Sequence, residues 1–328
     1  MPPSRYTSKV CAWLGAGILA PVIPWSPLHA EKSIHESRPA DPQGLVEIAA
    51  VSGSVEVSGW DRSEVEVSGT VGDKVERVEV TGAAHRTFIR VVPRPAWGWG
   101  ADSEARLNIH VPVKSAVSAT VVNAGLKLTG IQGELQLQTV SGNVSGDVGG
   151  DVRANTASGD VWITARSAKT VELNTISGSI HLLGGGGEVE ITTVSGEATI
   201  ELAALSRGRF KSVSGDVTAS LGILAGGQID GESVSGDFRL TFPSAPSADF
   251  DVQSVSGSIN NCFGPKPAES RHGSGSRLQF KNGDDHARVR IKTKIGDVQL
   301  CVNRADGTDA AAERSKQHYG RRPIPYAL

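Results

Sequence analysis

The residue that follows a recurring Ser-Gly pair along this chain is, in most copies, one that can bind a cation. The residues directly after the glycine are Asn143, Asp160, Ser179, Glu197, Asp216, Asp237, Ser258 and Asp297. If the copies stack as strands, these side chains form a row with a spacing of about 4.8 Å, and carboxylates so spaced suit Ca²⁺. However, the Gly-Gly-x-Gly-x-Asp signature of calcium rolls is absent, and Asp is a common bend residue. We therefore predict no metal and no cofactor.

Cysteines are the second group that could do chemistry. Of the three in the chain, Cys11 lies in an apolar N-terminal segment. The other two are Cys262 and Cys301, and two cysteines in an exported chain favour one disulfide. Each lies five residues after the glycine of a repeat, Gly257 and Gly296, so the two cysteines hold equivalent places in their units.

The separation of the two cysteines, 39 residues, fits either two coils or one coil with an insertion. Two full coils would separate equivalent α-carbons by about 9.6 Å, which exceeds the roughly 4.4–6.8 Å that a disulfide spans. Residues 264–276 lack strand alternation and look like an inserted loop. We therefore predict one oversized unit, with the cysteines bonded across adjacent strands so that they fasten the last coil.

Two tryptophans lie in a loop punctuated by Gly and Pro, residues 93–104. If exposed, Trp97 and Trp99 form a flat platform for a sugar ring or another protein. If packed, they cover the end of the core, which is the more common fate of loop aromatics. We favour packing and keep the pair as a candidate ligand platform.

Motifs typical of enzymes are absent from the sequence. There is no G-x-S-x-G, no H-E-x-x-H and no phosphate-binding loop before a helix, and the eight histidines have no metal-ligand spacing. A catalytic site assembled on an outer sheet from residues distant in sequence would leave no such motif.

The elements that position these residues follow from the repeat. Its glycines are Gly53, Gly142, Gly159, Gly178, Gly196, Gly215, Gly236, Gly257 and Gly296. All nine residues two positions later are apolar, as are eight of the nine residues five positions earlier, and this period of two is typical of half-buried strands. Glycine permits the sharp turn between them. We predict an all-β fold, a β-solenoid or flattened two-sheet β-roll, with coils of about 17–21 residues.

Other segments of the chain differ in pattern from the repeat. Basic residues, a short apolar run and "PLHA" near the start have the layout of a secretory signal. We predict a signal peptide at 1–30, a flexible segment at 31–43, a single β-repeat domain at 44–302 that is less regular at 44–124 and has regular coils at 125–302, and a flexible tail at 303–328. After cleavage no stable membrane span remains.

The stretches "VEIAAVSGSVEVSGWDRSEVEVSGTVG" and "SVSGSINNCFGPKP", with the serial "TVSG" and "SGDV" units between them, resemble a bacterial family. Its members are β-strand-repeat proteins described as putative adhesins or as a domain of unknown function. The resemblance covers roughly residues 42–303. It implies an exported, β-solenoid-like envelope protein without an established catalytic site.

The net charge of −2 gives no basic surface for nucleic acid. We therefore expect an exported, non-enzymatic structural or interaction module, periplasmic or on the cell surface, whose partner is an envelope component, either a glycan or a protein. Two alternatives stay open: an envelope enzyme acting on polysaccharide, and a sensor or stress-linked accessory protein.

Overall fold

The structure, a computed structural model, describes residues 32–83, 85–94, 104–269, 275–284 and 286–303. The predicted signal peptide and almost all of the predicted tail lie outside these residues. The described chain is built from strands joined by bends and turns. This confirms the all-β prediction.

Twenty-three strands follow one another along the described parts of the chain. They are β1 (Lys32–Pro39), β2 (Leu45–Trp60), β3 (Glu64–Val71), β4 (Val75–Ala83), β5 (Arg86–Pro93), β6 (Ala105–Pro112), β7 (Ala116–Ile131), β8 (Leu135–Ser141), β9 (Val144–Val148), β10 (Val152–Ser158), β11 (Val161–Ala165), β12 (Thr170–Ser177), β13 (Ile180–Gly184), β14 (Glu188–Ser195), β15 (Ala198–Ser214), β16 (Val217–Ser235), β17 (Phe238–Phe242), β18 (Ala248–Ser256), β19 (Ile259–Asn261), β20 (Ala268–Glu269), β21 (Ser276–Asn282), β22 (Ala287–Ile295) and β23 (Val298–Val302).

The strands wind into a β-solenoid with two parallel sheets. In each coil one strand leads into the Ser-Gly bend and the next strand leads out of it, and we call the sheets of these strands the front sheet and the back sheet. The front sheet runs β5–β2–β7–β8–β10–β12–β14–β15–β16–β22–β18. The back sheet runs β6–β2–β7–β9–β11–β13–β15–β16–β17–β23–β19. Long strands such as β2 and β15 belong to both sheets.

The core lies between the two sheets and is filled by rows of equivalent residues. The residues two after each bend glycine are at most 5% exposed: Val55, Val144, Val161, Ile180, Ala198, Val217, Phe238, Ile259 and Val298. Neighbouring members pair directly, as Val161 does with Ile180. The predicted apolar row is confirmed, and its burial is the main favourable term for a stack whose single coils cannot bury an apolar face alone.

The order of coils in space differs from their order in sequence at the C-terminal end. Strands β22 and β23 pair with β16 and β17 on one side and with β18 and β19 on the other. The coil that is last in sequence therefore lies inside the stack, and the coil of Gly257 forms the end. The insertion before β22 is a hairpin whose strand β21 pairs antiparallel with β18, so the predicted loop at 264–276 is in part strand.

The N-terminal prediction needs correction as well. Residues 32–39, predicted as flexible, form β1, which pairs antiparallel with β3 over eight residues. None of the eight is fully buried. This strand is held mainly by backbone hydrogen bonds, with Ile34 packed against the core, and has no apolar alternation. Full coils also begin before residue 125, because β7 bends at Ala124, where alanine replaces the glycine.

The bend glycines pack backbone to backbone. All nine have a positive φ, which L-residues with a side chain resist. A Cβ on Gly178 would lie 2.2 Å from the carbonyl oxygen of Gly159 in the preceding coil. The N–H of Gly178 donates to the carbonyl of Ser195 in the following coil at 3.2 Å. Glycine is thus required by its φ and by contact with the neighbouring coil.

We predict that Gly178→Ala lowers the free energy of unfolding by more than about 2 kcal/mol. Alanine is strained at the positive φ of this position, and its Cβ clashes with the backbone of the preceding coil. Gly125→Ala is the matched control, since a Cβ at Gly125 meets nothing within 4 Å and alanine lowers the entropy of the unfolded chain. Urea unfolding of both variants measures the difference. Equal effects of the two substitutions would contradict this account of the bend.

A row of hydroxyl side chains lies inside the apolar core, three residues before the bend glycines. Its members are at most 7% exposed: Thr139, Thr156, Thr175, Thr193, Ser212, Ser233, Ser254 and Thr293. Ser254 donates to the carbonyl of Gly296 at 2.8 Å. Within the described residues, Thr139, Thr175, Thr193 and Ser233 find no hydrogen-bond partner. The members of the row therefore contribute unequally to stability, because burying a hydroxyl without a hydrogen-bond partner lowers the free energy of unfolding.

Thr193→Val should raise the free energy of unfolding by about 1 kcal/mol, because valine keeps the shape of threonine and removes a buried, unbonded hydroxyl. Ser254→Ala should lower it by about 1 kcal/mol, because the substitution removes a hydrogen bond that is made. Chemical denaturation of the two variants tests both signs. A loss of stability in Thr193→Val as large as that in Ser254→Ala would show that the hydroxyl of Thr193 is satisfied.

Candidate functional site

The predicted site residues have different outcomes. Trp97 and Trp99 lie outside the described residues, so the platform stays a prediction. Cys262 and Cys301 form a disulfide with α-carbons 4.8 Å apart, which confirms the bond and the adjacency of the two coils. Cys262 directly follows β19 and so lies in the coil at the end of the stack. Cys301 lies in β23, which belongs to the last coil in sequence and is inserted inside the stack. The disulfide therefore fastens the end coil to the coil that is last in sequence.

The row after the bend glycines bonds to the backbone. The side-chain oxygen of Asp160 accepts from the N–H of Ser179 at 2.9 Å. The Oδ1 of Asp237 accepts from the N–H of Asp297 at 2.8 Å. Backbone and side-chain hydrogen bonds from Ser258 hold the pKa of Asp297 below its usual range. Asn143 and Asp216 accept from the backbone of a neighbouring coil in the same way, so most acidic and amide members of the row bond to the backbone, as expected of bend residues. Among the residues described, no group of three metal-binding side chains occurs.

The most distinctive outward-facing group lies in the middle of the back sheet. Trp162 on β11 and His181 on β13 are direct cross-strand neighbours, with ring centroids 3.8 Å apart and ring planes 16° apart. Between the buried Val161 and Ile163, Trp162 must face outward, and 43% of its surface is exposed. Aromatic residues favour strands, so the exposed ring fits its local structure.

One face of the Trp162 ring is covered by His181, while the cross-strand neighbour on the other side is the small Ser145. Beyond Ser145 lies Lys127, two strands or about 9.6 Å from Trp162. We call the group Lys127, Ser145, Asp147, Trp162 and His181 the Trp162 slot. It lies in an open depression of about 460 Å³. A planar group above Ser145 would occupy the next rung of the Trp162–His181 stack.

One edge of the slot carries a charge pair. The guanidinium of Arg166 donates to both carboxylate oxygens of Asp147, each at 2.6 Å. This bidentate contact holds the pKa of Asp147 below its usual range. The ammonium of Lys127 is 3.4 Å from Glu56 and largely exposed, so it remains able to donate hydrogen bonds. The slot therefore combines an aromatic face with polar groups at its rim.

A second tryptophan on the same sheet, Trp60, is less exposed than Trp162 and its ring has more contacts. It stacks with His110 at 5.0 Å, the guanidinium of Arg62 lies 4.7 Å from its ring centroid, and its Nε1 donates to the carbonyl of Glu64 at 2.9 Å. Trp60 is thus a packed residue and Trp162 an accessible one.

The Trp162 slot was not among the sequence predictions, although the sequence holds a signal for it. Trp162 and His181 each lie three residues after a bend glycine, Gly159 and Gly178. Equivalent places in consecutive units become cross-strand neighbours, so an aromatic and an imidazole there are expected to stack.

Comparison with known proteins places the chain in a family. The family model described as Toastrack DUF4097 matches residues 76–301, well over half of the chain. The chain belongs to the Toastrack DUF4097 family. This confirms the resemblance to β-strand-repeat proteins and the β-solenoid fold. No curated protein matches.

Several solved structures resemble the chain at low identity. A putative cell adhesion protein from Clostridium sporogenes has 9% identity and a TM-score of 0.27, covering 83% of this chain and 100% of that one. A putative adhesin from Bacteroides fragilis has 11% identity and a TM-score of 0.43, covering 84% and 98%. A putative lipid binding protein from Parabacteroides distasonis has 15% identity and a TM-score of 0.35, covering 82% and 97%. Among the described residues of this Toastrack chain, no helix is long and apolar enough to cross a membrane.

We predict that His181 makes the stability of this Toastrack domain fall in mild acid. Burial in the stack lowers the pKa of His181, and Glu197 and Asp160 oppose this only in part. The unfolded chain, with a pKa near 6.5, then binds a proton before the folded chain does, so stability falls as pH drops through about 6.5. Thermal melts of wild type and His181→Gln between about pH 8 and pH 5 isolate the effect. Identical slopes in the two proteins would contradict it.

Proposed function

We propose that this protein is an exported envelope module that acts by binding, and that the Trp162 slot holds a sugar ring of an envelope or cell-surface glycan. Export is supported by the layout of residues 1–30, with basic residues before a short apolar run. The observation that carries the ligand class is the indole of Trp162, exposed and open on one side.

A pyranose ring fits this slot in size and chemistry. The C–H bonds on one face of the sugar carry partial positive charge and pack against the electron-rich face of an indole. Its hydroxyls lie at the ring edge, where the ammonium of Lys127 and the carboxylate of Asp147 offer a donor and an acceptor. The stack with His181 restrains Trp162, so little side-chain entropy is lost on binding.

Binding is favoured over polysaccharide cleavage by the state of the acidic side chain in the slot. Glycoside hydrolysis generally needs a carboxylic acid whose pKa is raised, so that it can protonate the leaving oxygen. The guanidinium of Arg166 lowers the pKa of Asp147 instead and donates to each of its oxygens, which keep further lone pairs that can accept a hydrogen bond. Asp147 is therefore suited to hold a ligand and poorly suited to serve as a general acid.

A glycan and peptidoglycan-fragment array probed with the purified protein tests the proposal. We expect binding to a defined set of glycans, with Trp162→Ala weakening the affinity by about tenfold or more, in line with the loss of one stacked ring. Trp162→Phe should lose less, because it keeps a smaller aromatic face. Calorimetry with the best array ligand measures the change.

Trp60→Ala is the matched control, because it removes a tryptophan from the same sheet whose ring already contacts His110 and Arg62. It should leave glycan affinity unchanged. Melting temperatures of all variants separate lost binding from lost folding. Failure of the wild-type protein to bind any glycan, or full affinity in a folded Trp162→Ala variant, would overturn the proposal.

A further inference from the structure

Leu183 on β13 extends the apolar surface beside the Trp162 slot. It is 51% exposed, and it faces outward because it follows the buried Leu182. A single exposed leucine is ordinary on a protein surface. Leu183, however, lies two residues after His181, the cross-strand partner of Trp162, so the α-carbons of Trp162 and Leu183 are about 8 Å apart. On the outer faces of β9, β11 and β13, Trp162 and Leu183 are the two large apolar side chains that are exposed.

The depression that contains the slot is elongated along the stack. Its walls are two neighbouring rows of outward-facing side chains. One row runs Lys127, Ser145, Trp162, His181 and Thr199, and the other runs Thr129, Asp147, Thr164, Leu183 and Glu201. Five coils at the strand spacing give a length of about 19 Å. A single pyranose ring, which is about as wide as one strand spacing, fills only a part of this length.

A second depression adjoins the first along the row that contains Leu183. It has a volume of about 640 Å³ and shares Thr164, Leu183 and Glu201 with the first. Its lining beside Leu183 is low, because Gly184 has no side chain and Ala203 has a small one. The side chain of Leu183 therefore stands between two open spaces and is accessible from both.

We infer that the Trp162 slot is one subsite of an extended cleft, and that the cleft binds a linear oligosaccharide of at least three rings. This inference rests on the proposed function. One ring packs on the open face of Trp162 above Ser145, the next passes over the small side chain of Thr164, and the third packs on Leu183. Ser145 and Leu183 are two strands and two residues apart, or about 12 Å, so one ring cannot contact both.

The polar groups along this path suit the edges of a sugar chain. The ammonium of Lys127 donates hydrogen bonds, the hydroxyl of Thr164 donates and accepts them, and the exposed carboxylate of Glu201 accepts them. Extended peptides commonly bind by pairing with the open edge of a sheet. The cleft instead lies across the middle of the back sheet, where the backbones of β11 and β13 are already paired on both sides. A glycan needs only ring faces and hydroxyl partners, and the cleft offers both.

Calorimetry with glycans of graded length tests the inference on the purified protein. The probes are linear oligomers of N-acetylglucosamine, of glucose and of galacturonate, and fragments of the best glycan from the array, each with one to five rings. We expect the affinity to rise by about tenfold or more between one ring and three. Leu183→Ser should lower the affinity for three rings by about fivefold or more and leave that for one ring unchanged, because only the longer ligand reaches this position.

The matched control is Leu224→Ser, which removes a leucine of similar exposure, 49%, from outside both depressions. It should leave every affinity unchanged, and melting curves establish that each variant is folded. Affinity that does not depend on the number of rings, or a folded Leu183→Ser variant that keeps the whole gain with length, overturns this inference and leaves the proposed function standing. Failure of every glycan to bind, on the array and in the graded series, overturns both.

Discussion

The contact between the backbones of successive bend glycines is the constraint on which this solenoid depends. At Gly178 the space for a Cβ is already taken by the carbonyl of Gly159, so this coil can approach the preceding one only because Gly178 lacks a side chain. The close approach lets the strand ladder continue through the bend, with the N–H of Gly178 on Ser195. Neighbouring coils are thereby held in one register, and a register error would move every apolar side chain to the wrong face.

Because the register is fixed, equivalent residues of successive units form rows along the stack, and different rows have different roles. Inner rows of aliphatic residues form the core, and the row after the glycine satisfies backbone donors. Other outward-facing rows change in residue type along the stack. On the back sheet, Trp162 and His181 interrupt a row of small and polar residues. Two residues before the bends, Val140, Ile176 and Val194 form an exposed apolar row at a position where polar residues are expected. Both surfaces exist because equivalent residues are neighbours in space.

The sequence predicts those features that register alone determines. The all-β solenoid, the buried row through Val161 and the adjacency of Cys262 and Cys301 all follow from spacing. The strand β1 could not be predicted, because an edge strand held by backbone hydrogen bonds needs no apolar pattern. Nor could the place of β22 and β23, since a coil of matching register pairs equally well with either neighbour. The stacking of Trp162 on His181 was predictable in principle, because the two residues hold equivalent positions in consecutive units and so lie on neighbouring strands.

The inserted coil at the C-terminal end explains how the stack is terminated. A solenoid of parallel strands exposes backbone donors and acceptors at its ends and invites further copies to add there. Here the end coil is covered by the antiparallel strand β21, and Phe250 stacks with Phe280 at 4.6 Å to close the core beneath it. The disulfide then ties the end coil to β23, and β19, the end strand of the back sheet, is only three residues long. At the opposite end, β3 pairs antiparallel with β6, and β1 pairs antiparallel with β3 as the outer edge. Growth along the axis is therefore blocked at both ends, which leaves the long sides of the solenoid as the surfaces on which another molecule can bind.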